Sequence, residues 1–235
     1  MKSKNLSALA KKTSVDFLRH PLIALPFLIA LLVMYGFSEG TTALLPLLTT
    51  NAENIVALIV LSLFALAILS FLFAFFITLC QSITEKNRTA RQSLAVAAHS
   101  APKNLFLMIL AIALVQGITW LSFIIGKILL PLAGASGATF IVIACMFAGF
   151  AGIAIFLTFA PFYIVMRQSS VIGSIKSSIN LVRRRYLDIL IITVIFFAAV
   201  LLIDRYIPTF IAEVIKSLII IPYTGLLLAE FLSQK

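Results

Sequence analysis

From Ile55 to Leu79 the chain carries no charged side chain. A helix needs about 20 apolar residues to cross the ~30 Å hydrocarbon core of a bilayer, and this run is long enough. Similar runs recur along the sequence, separated by short polar segments that hold almost all the charge. Of 235 residues, 62% are hydrophobic and 11% are charged. A soluble chain would be roughly half apolar and would carry about twice that charge. One water-soluble core cannot hide this excess, so lipid is the alternative solvent. The sequence therefore predicts a single integral membrane domain over residues 1–235, all-α, with no room for a large soluble domain.

Six spans are predicted, arranged as three hairpins, over residues 21–37, 55–79, 105–130, 138–166, 187–203 and 210–232. The first is read as a retained helix rather than a cleaved signal peptide. It is interrupted by Pro26, and no clear small-x-small cleavage site follows it. Ser38 to Asn54 is predicted as a loop without lysine or arginine. A turn is placed around Pro131, Gly134 and Gly137.

Three polar segments before the hairpins read as surface helices. Residues 1–20 place Leu6, Leu9, Ala10, Thr13 and Phe17 on one face by 3-and-4 spacing, with Lys4, Lys11, Lys12 and Arg19 mostly off it. Such a helix is expected to lie in the head-group plane. Residues 84–101 form a weaker example, and Pro102 precedes the next apolar run as Pro21 does the first. Residues 170–186 form the strongest, with Ile172, Ile175, Ile179, Val182 and Tyr186 opposed by Lys176, Asn180 and Arg183. The order of surface helix then hairpin suggests an internal repeat. Phe75-Phe76-Ile77 stands before Gln81-Ser82 as Phe162-Tyr163-Ile164 stands before Gln168-Ser169.

The net charge of +10 is sorted by position. With six spans, fifteen of the lysines and arginines fall on one side and only Lys127, Arg205 and Lys216 on the other. The positive-inside rule then places both ends in the cytoplasm. The cations meet anionic lipid head groups there, and Lys11, Lys12, Arg19, Lys176, Arg183, Arg184 and Arg185 are the predicted contacts. No nucleic-acid motif accompanies them, so no nucleic-acid partner is expected.

Ionisable side chains inside a bilayer are costly and usually functional. Lys127, Asp204, Arg205, Glu213, Lys216 and Glu230 all fall near span ends, where long side chains can reach water. Gln116 alone is large, polar and near a span centre. Ala144, Ala148 and Gly152 recur every fourth residue, a spacing that lets helices approach closely. Pro161 and Pro222 each remove a helical hydrogen bond and are expected to kink their spans. Gln116, Ala148, Gly152, Pro161 and Pro222 therefore form the candidate cavity or helix-packing set. Cys80 and Cys145 read as buried small hydrophobes. Two histidines, His20 and His99, make a poor metal site without further ligands. Hydrolase and phosphate-loop motifs are lacking. No catalytic residue, metal or cofactor is expected, and the chain reads as a non-enzyme.

Three segments carry a family resemblance: Ala101-Pro102-Lys103 through Leu114-Val115-Gln116, Leu157-Thr158-Phe159-Ala160-Pro161, and Ser174-Ile175-Lys176-Ser177-Ser178-Ile179-Asn180-Leu181. Over roughly Arg91 to Leu232 the chain resembles the YciC-like family of bacterial inner-membrane proteins. More loosely, it is similar to the membrane domain that precedes some glycerophosphodiester phosphodiesterases, whose catalytic domain has no counterpart here. The resemblance implies six helices in the cytoplasmic membrane and no established activity. The expected role is membrane-organising or lipid-interacting. The alternative is a small-substrate or lipid transporter, or a transporter's membrane subunit. A homo-oligomer or a membrane-protein partner is left open.

Overall fold

A computed structural model describes residues 4–44, 51–86, 90–129 and 155–233. Among them every regular element is helical, with no strand. In chain order these are α1 (Lys4–Arg19), a 3-10 turn (Pro21–Ala24), α2 (Leu25–Leu44), α3 (Asn51–Lys86) and α4 (Ala90–Leu129). Then come α5 (Ala160–Arg167), α6 (Val171–Arg184), α7 (Tyr186–Tyr206), α8 (Thr209–Ile215), a π-helical turn (Lys216–Ile220) and α9 (Ile221–Ser233). The chain forms two compact units, one from Met1–Ile109 with Val194–Lys235 and one from Leu110–Thr193.

Five described segments are long and apolar enough to cross a membrane: Pro21–Thr42, Val56–Thr84, Arg91–Ala113, Tyr186–Tyr206 and Thr209–Ser233. No more than 33% of the apolar window of any of them is buried within the protein. Leu32, Leu63, Phe64, Ile195 and Leu201 are each at least 60% exposed. Water would penalise such a surface at about 25 cal/mol per Å², whereas acyl chains do not. These helices mark the chain as a membrane protein.

The segmentation departs from the sequence reading in four places. The first span does not end at Phe37. Helix α2 continues to Leu44, into the stretch predicted as a loop, because no proline intervenes and Thr41 and Thr42 donate their hydroxyls back to the Ser38 carbonyl at 2.9 and 2.8 Å. The surface helix predicted over 84–101 and the span over 105–130 are not separate either. Residues 84–86 close α3, residues 87–89 lie outside the described set, and α4 runs unbroken through Pro102. A proline removes one hydrogen bond, but packing can carry the helix past it. Here Ala97, Ala101 and Met108 are fully buried along that stretch.

The third departure is in the fourth span. Residues 138–154 lie outside the described set, and Ile155–Arg167 is a shorter apolar helix. It is interrupted by a turn at Thr158 and Phe159, so Pro161 occupies the first turn of α5. A missing N–H costs nothing there, since the first-turn donors have no helical partner anyway. The fourth lies in the last span. The π turn over Lys216–Ile220 ends two residues before Pro222. The proline ring displaces the carbonyl one turn earlier, and the backbone takes up the mismatch as a wider turn.

A tight corner joins α5 to α6. Gln168 adopts a left-handed conformation (φ 50) and closes α5, with its N–H bonded to the Tyr163 carbonyl. Ser170 then caps α6, its hydroxyl accepting the Gly173 N–H at 3.2 Å. Ser170→Ala is expected to lower stability by about 1 kcal/mol, read as a shift in the denaturation midpoint in detergent. The matching Gln81 and Ser82 take no such corner, for both remain helical inside α3.

Candidate lipid-interaction site

Helix α6 buries Val171, Ser174, Ser178 and Val182. These recur every three or four residues and so form one stripe. The stripe is half serine, and each serine hydroxyl finds a backbone acceptor. Ser178 donates to the Phe156 carbonyl at 2.5 Å, and Ser174 donates to the Val171 carbonyl at 2.7 Å. Small side chains let the helix lie close against the chain that precedes α5.

The face turned to protein is therefore not the isoleucine row read as the helix's apolar face. Only Val182 of that row is buried. Ile175 and Ile179 are half-buried, Ile172 is 69% exposed and Tyr186 is 45% exposed. The row occupies the arc beside the serine stripe, and Lys176 and Arg183 follow on the next arc, both exposed. Three bands result around the helix: serine against protein, isoleucine at the border, cations outward. An interfacial helix needs this order, with apolar side chains level with the acyl boundary and cations level with phosphate.

The arginine triplet is split by its backbone. Arg183 and Arg184 belong to α6 and are exposed. Arg185 is half-buried and sits at the joint to α7, with non-helical angles (φ −129, ψ 36). Two of the three thus stand exposed at the end of α6, and the third lies at the corner.

Helix α1 carries the other predicted contacts. Lys11, Lys12 and Arg19 are exposed, beside Val15 and Leu18. The face expected to meet lipid is instead turned to protein, with Leu9 and Thr13 buried. Its partner is α9. The Tyr223 hydroxyl donates to the Ala10 carbonyl at 3.2 Å and lies 3.3 Å from the Ser14 hydroxyl. The Phe17 ring meets Tyr223 edge-on, 6.0 Å between centroids. An apolar face with a protein partner at hand does not need the bilayer.

Two charge clusters were not anticipated. Glu230 was expected to reach water from its span end. Its side chain is 1% exposed and faces Lys12 Nζ at 3.4 Å, while Lys12 also lies 3.6 Å from Asp16. The Tyr223–Glu230 spacing, two turns of one helix, was the available signal that both share a face. In the last span, Lys216 bridges Asp204 at 2.8 Å and Glu213 at 2.6 Å. It does so from the π turn, with a side chain only 13% exposed.

The cavity or packing set is only partly placed. Pro161 and Pro222 are both buried. Gln116 lies on α4, but its side chain is outside the described residues, as are Ala148 and Gly152 altogether. Cys80 is buried on α3, whereas Cys145 lies outside the described set. His99 is engaged with Lys103 at 3.1 Å on its own helix. Among the described residues no three of His, Cys, Asp and Glu gather into a metal-binding group.

A family model described as a domain of unknown function, DUF7847, matches residues 6–232. No curated protein and no solved structure matches the chain.

Proposed function

The chain belongs to the DUF7847 family of unknown function, and from that premise we propose that it is a non-enzymatic, lipid-interacting protein that organises the leaflet around it. It crosses the cytoplasmic membrane six times with both ends inside. Five of the crossings fall on described segments, and the remaining one, the fourth in sequence order, rests on the sequence alone, since residues 138–154 lie outside the described set. The resemblance to the YciC-like inner-membrane proteins agrees with that count, as does the one-sided sorting of lysine and arginine. The partner is anionic phospholipid on the cytoplasmic side, held by Lys176, Arg183 and Arg184.

One observation carries this reading: the banded surface of α6, with Ile172, Ile175 and Ile179 beside Lys176 and Arg183. A purely structural helix would bury its isoleucines and leave the serines outside. Here the serines are satisfied inside and the isoleucines stay at the border.

The test is retention of phosphatidylglycerol over phosphatidylcholine through purification from mixed vesicles. Each cation near an anionic leaflet contributes about 1 kcal/mol. The triple variant Lys176→Gln, Arg183→Gln, Arg184→Gln is expected to lose most of the preference for the anionic lipid. Equal retention by wild type and variant refutes the reading.

A transporter is the second reading, supported by the broken last span. Its π turn places a cation and two carboxylates at a helix discontinuity, the setting in which transporters bind ions and substrates. Lys216→Met is then expected to abolish substrate-dependent protection of the last span from proteolysis. Unchanged protection under every small anion and cation tried argues against it.

A further inference from the structure

Helix α1 is held on α9 by a contact that works partly against itself. Glu230 is fully buried by protein alone, before any lipid is considered. Neither of its carboxylate oxygens has a well-formed hydrogen bond, and a second carboxylate, Asp16, acts on it electrostatically. Among the described residues its one ion-pair partner is Lys12, 3.4 Å away. The Lys12 side chain is 55% exposed and is shared with Asp16.

Removing a carboxylate from water is costly, and one half-exposed lysine shared with Asp16 offsets only part of that cost. Undocking α1 would return Glu230 to water and free Lys12 for another anion. The docked state is otherwise favourable. Leu9 and Thr13 are buried, Tyr223 bonds the α1 backbone, and Phe17 packs on its ring. Apolar packing and a poorly compensated charge thus oppose each other across one interface.

The outer face of α1 suits a second resting place. Lys11, Arg19 and Lys12 are exposed there beside Val15 and Leu18, the latter 79% exposed. Anionic head groups would compete with Glu230 for Lys12 while the apolar residues enter the acyl boundary.

We propose that α1 is a releasable clasp, docked on the last span through Lys12 and Glu230 and drawn off it by anionic phospholipid. Released α1 lies on the leaflet and uncovers Glu230 and Tyr223 to water. The clasp rests on the membrane reading above but uses none of the α6 cations. The two proposals therefore fail separately.

A charge-neutral isostere separates this from an ordinary salt bridge. If the pair simply held α1 down, both Lys12→Ala and Glu230→Gln would loosen it. In a clasp opposed by desolvation the two act in opposite directions. Lys12→Ala releases α1, and Glu230→Gln locks it.

Spin labels at Ser7→Cys and Ser233→Cys, in a Cys80→Ser, Cys145→Ser background, report the distance from α1 to the end of α9. The full chain is reconstituted in phosphatidylcholine vesicles with rising phosphatidylglycerol. The parent is expected to move from a short to a long distance as anionic lipid increases. Glu230→Gln is expected to keep the short distance throughout, and Lys12→Ala to show the long one even in neutral lipid. The α6 triple variant is expected to behave as the parent. A parent distance insensitive to lipid charge overturns the clasp. So does a Glu230→Gln variant that opens as readily as the parent or more so.

Discussion

Phe76→Ala is expected to destabilise the protein by about 3–5 kcal/mol, the range for emptying a large aromatic site in a packed core. Phe76 is fully buried on α3 and joins three contacts in one place. The Phe27 ring of α2 meets it edge-on at 4.6 Å, and Phe73 stacks on it at 6.2 Å. On the third side lies Gly225 of α9. Lipid cannot substitute for this ring, because the site is enclosed by protein. The measurement is unfolding of the purified protein in mixed micelles with increasing denaturing detergent. A loss under about 1 kcal/mol, the scale of an ordinary surface change, would mean that this contact does not hold α2, α3 and α9 together.

Gly225→Ala is expected to cost about 1–3 kcal/mol by overpacking. A Cβ at Gly225 would fall on the tip of the Phe76 ring, closer than two carbon atoms approach. The ring is already fixed by Phe27 and Phe73 and has nowhere to swing. The glycine is thus required for close helix approach rather than for its backbone freedom. Phe76→Leu shortens the side chain at the point of collision. The double variant Gly225→Ala, Phe76→Leu is expected to be more stable than the sum of the two single losses predicts. Simple additivity in the same unfolding measurement would place the two residues out of contact.

Long uncharged runs were legible because burial in lipid is a property of composition and length alone. Five described segments are long and apolar enough to cross a membrane, and four of them coincide with predicted spans, while Arg91–Ala113 meets only the first residues of the span predicted over 105–130. Their ends were less legible. Proline at 102 was read as standing just before a new span, yet α4 passes it on buried alanines. Proline at 161 was read as a kink and stands in the first turn of a new helix. A proline deletes one donor wherever it stands, and only its neighbours decide whether the helix breaks, widens or continues.

The basic helices show the same division. Spacing predicted helices over these stretches, and α1 and α6 are found there. Which arc each helix turns toward protein could not be read. In α6 the serines face inward because Phe156 supplies a carbonyl for Ser178. In α1 the apolar arc faces α9 because Tyr223 and Phe17 meet there. Glu230 was misplaced for a related reason. Position in a span sets depth, and depth alone suggested water, but α1 folds over that end.

By itself the sequence determined the solvent and the helical class, since transfer energies depend on residue type and helical period is fixed by the backbone. The tertiary structure decided which face of each helix meets protein and which meets lipid, and which buried charge finds a partner. A hydrophobic side chain gains nearly the same from either apolar surroundings, so only the position of residues distant in the chain, such as Lys12 and Glu230, breaks the tie.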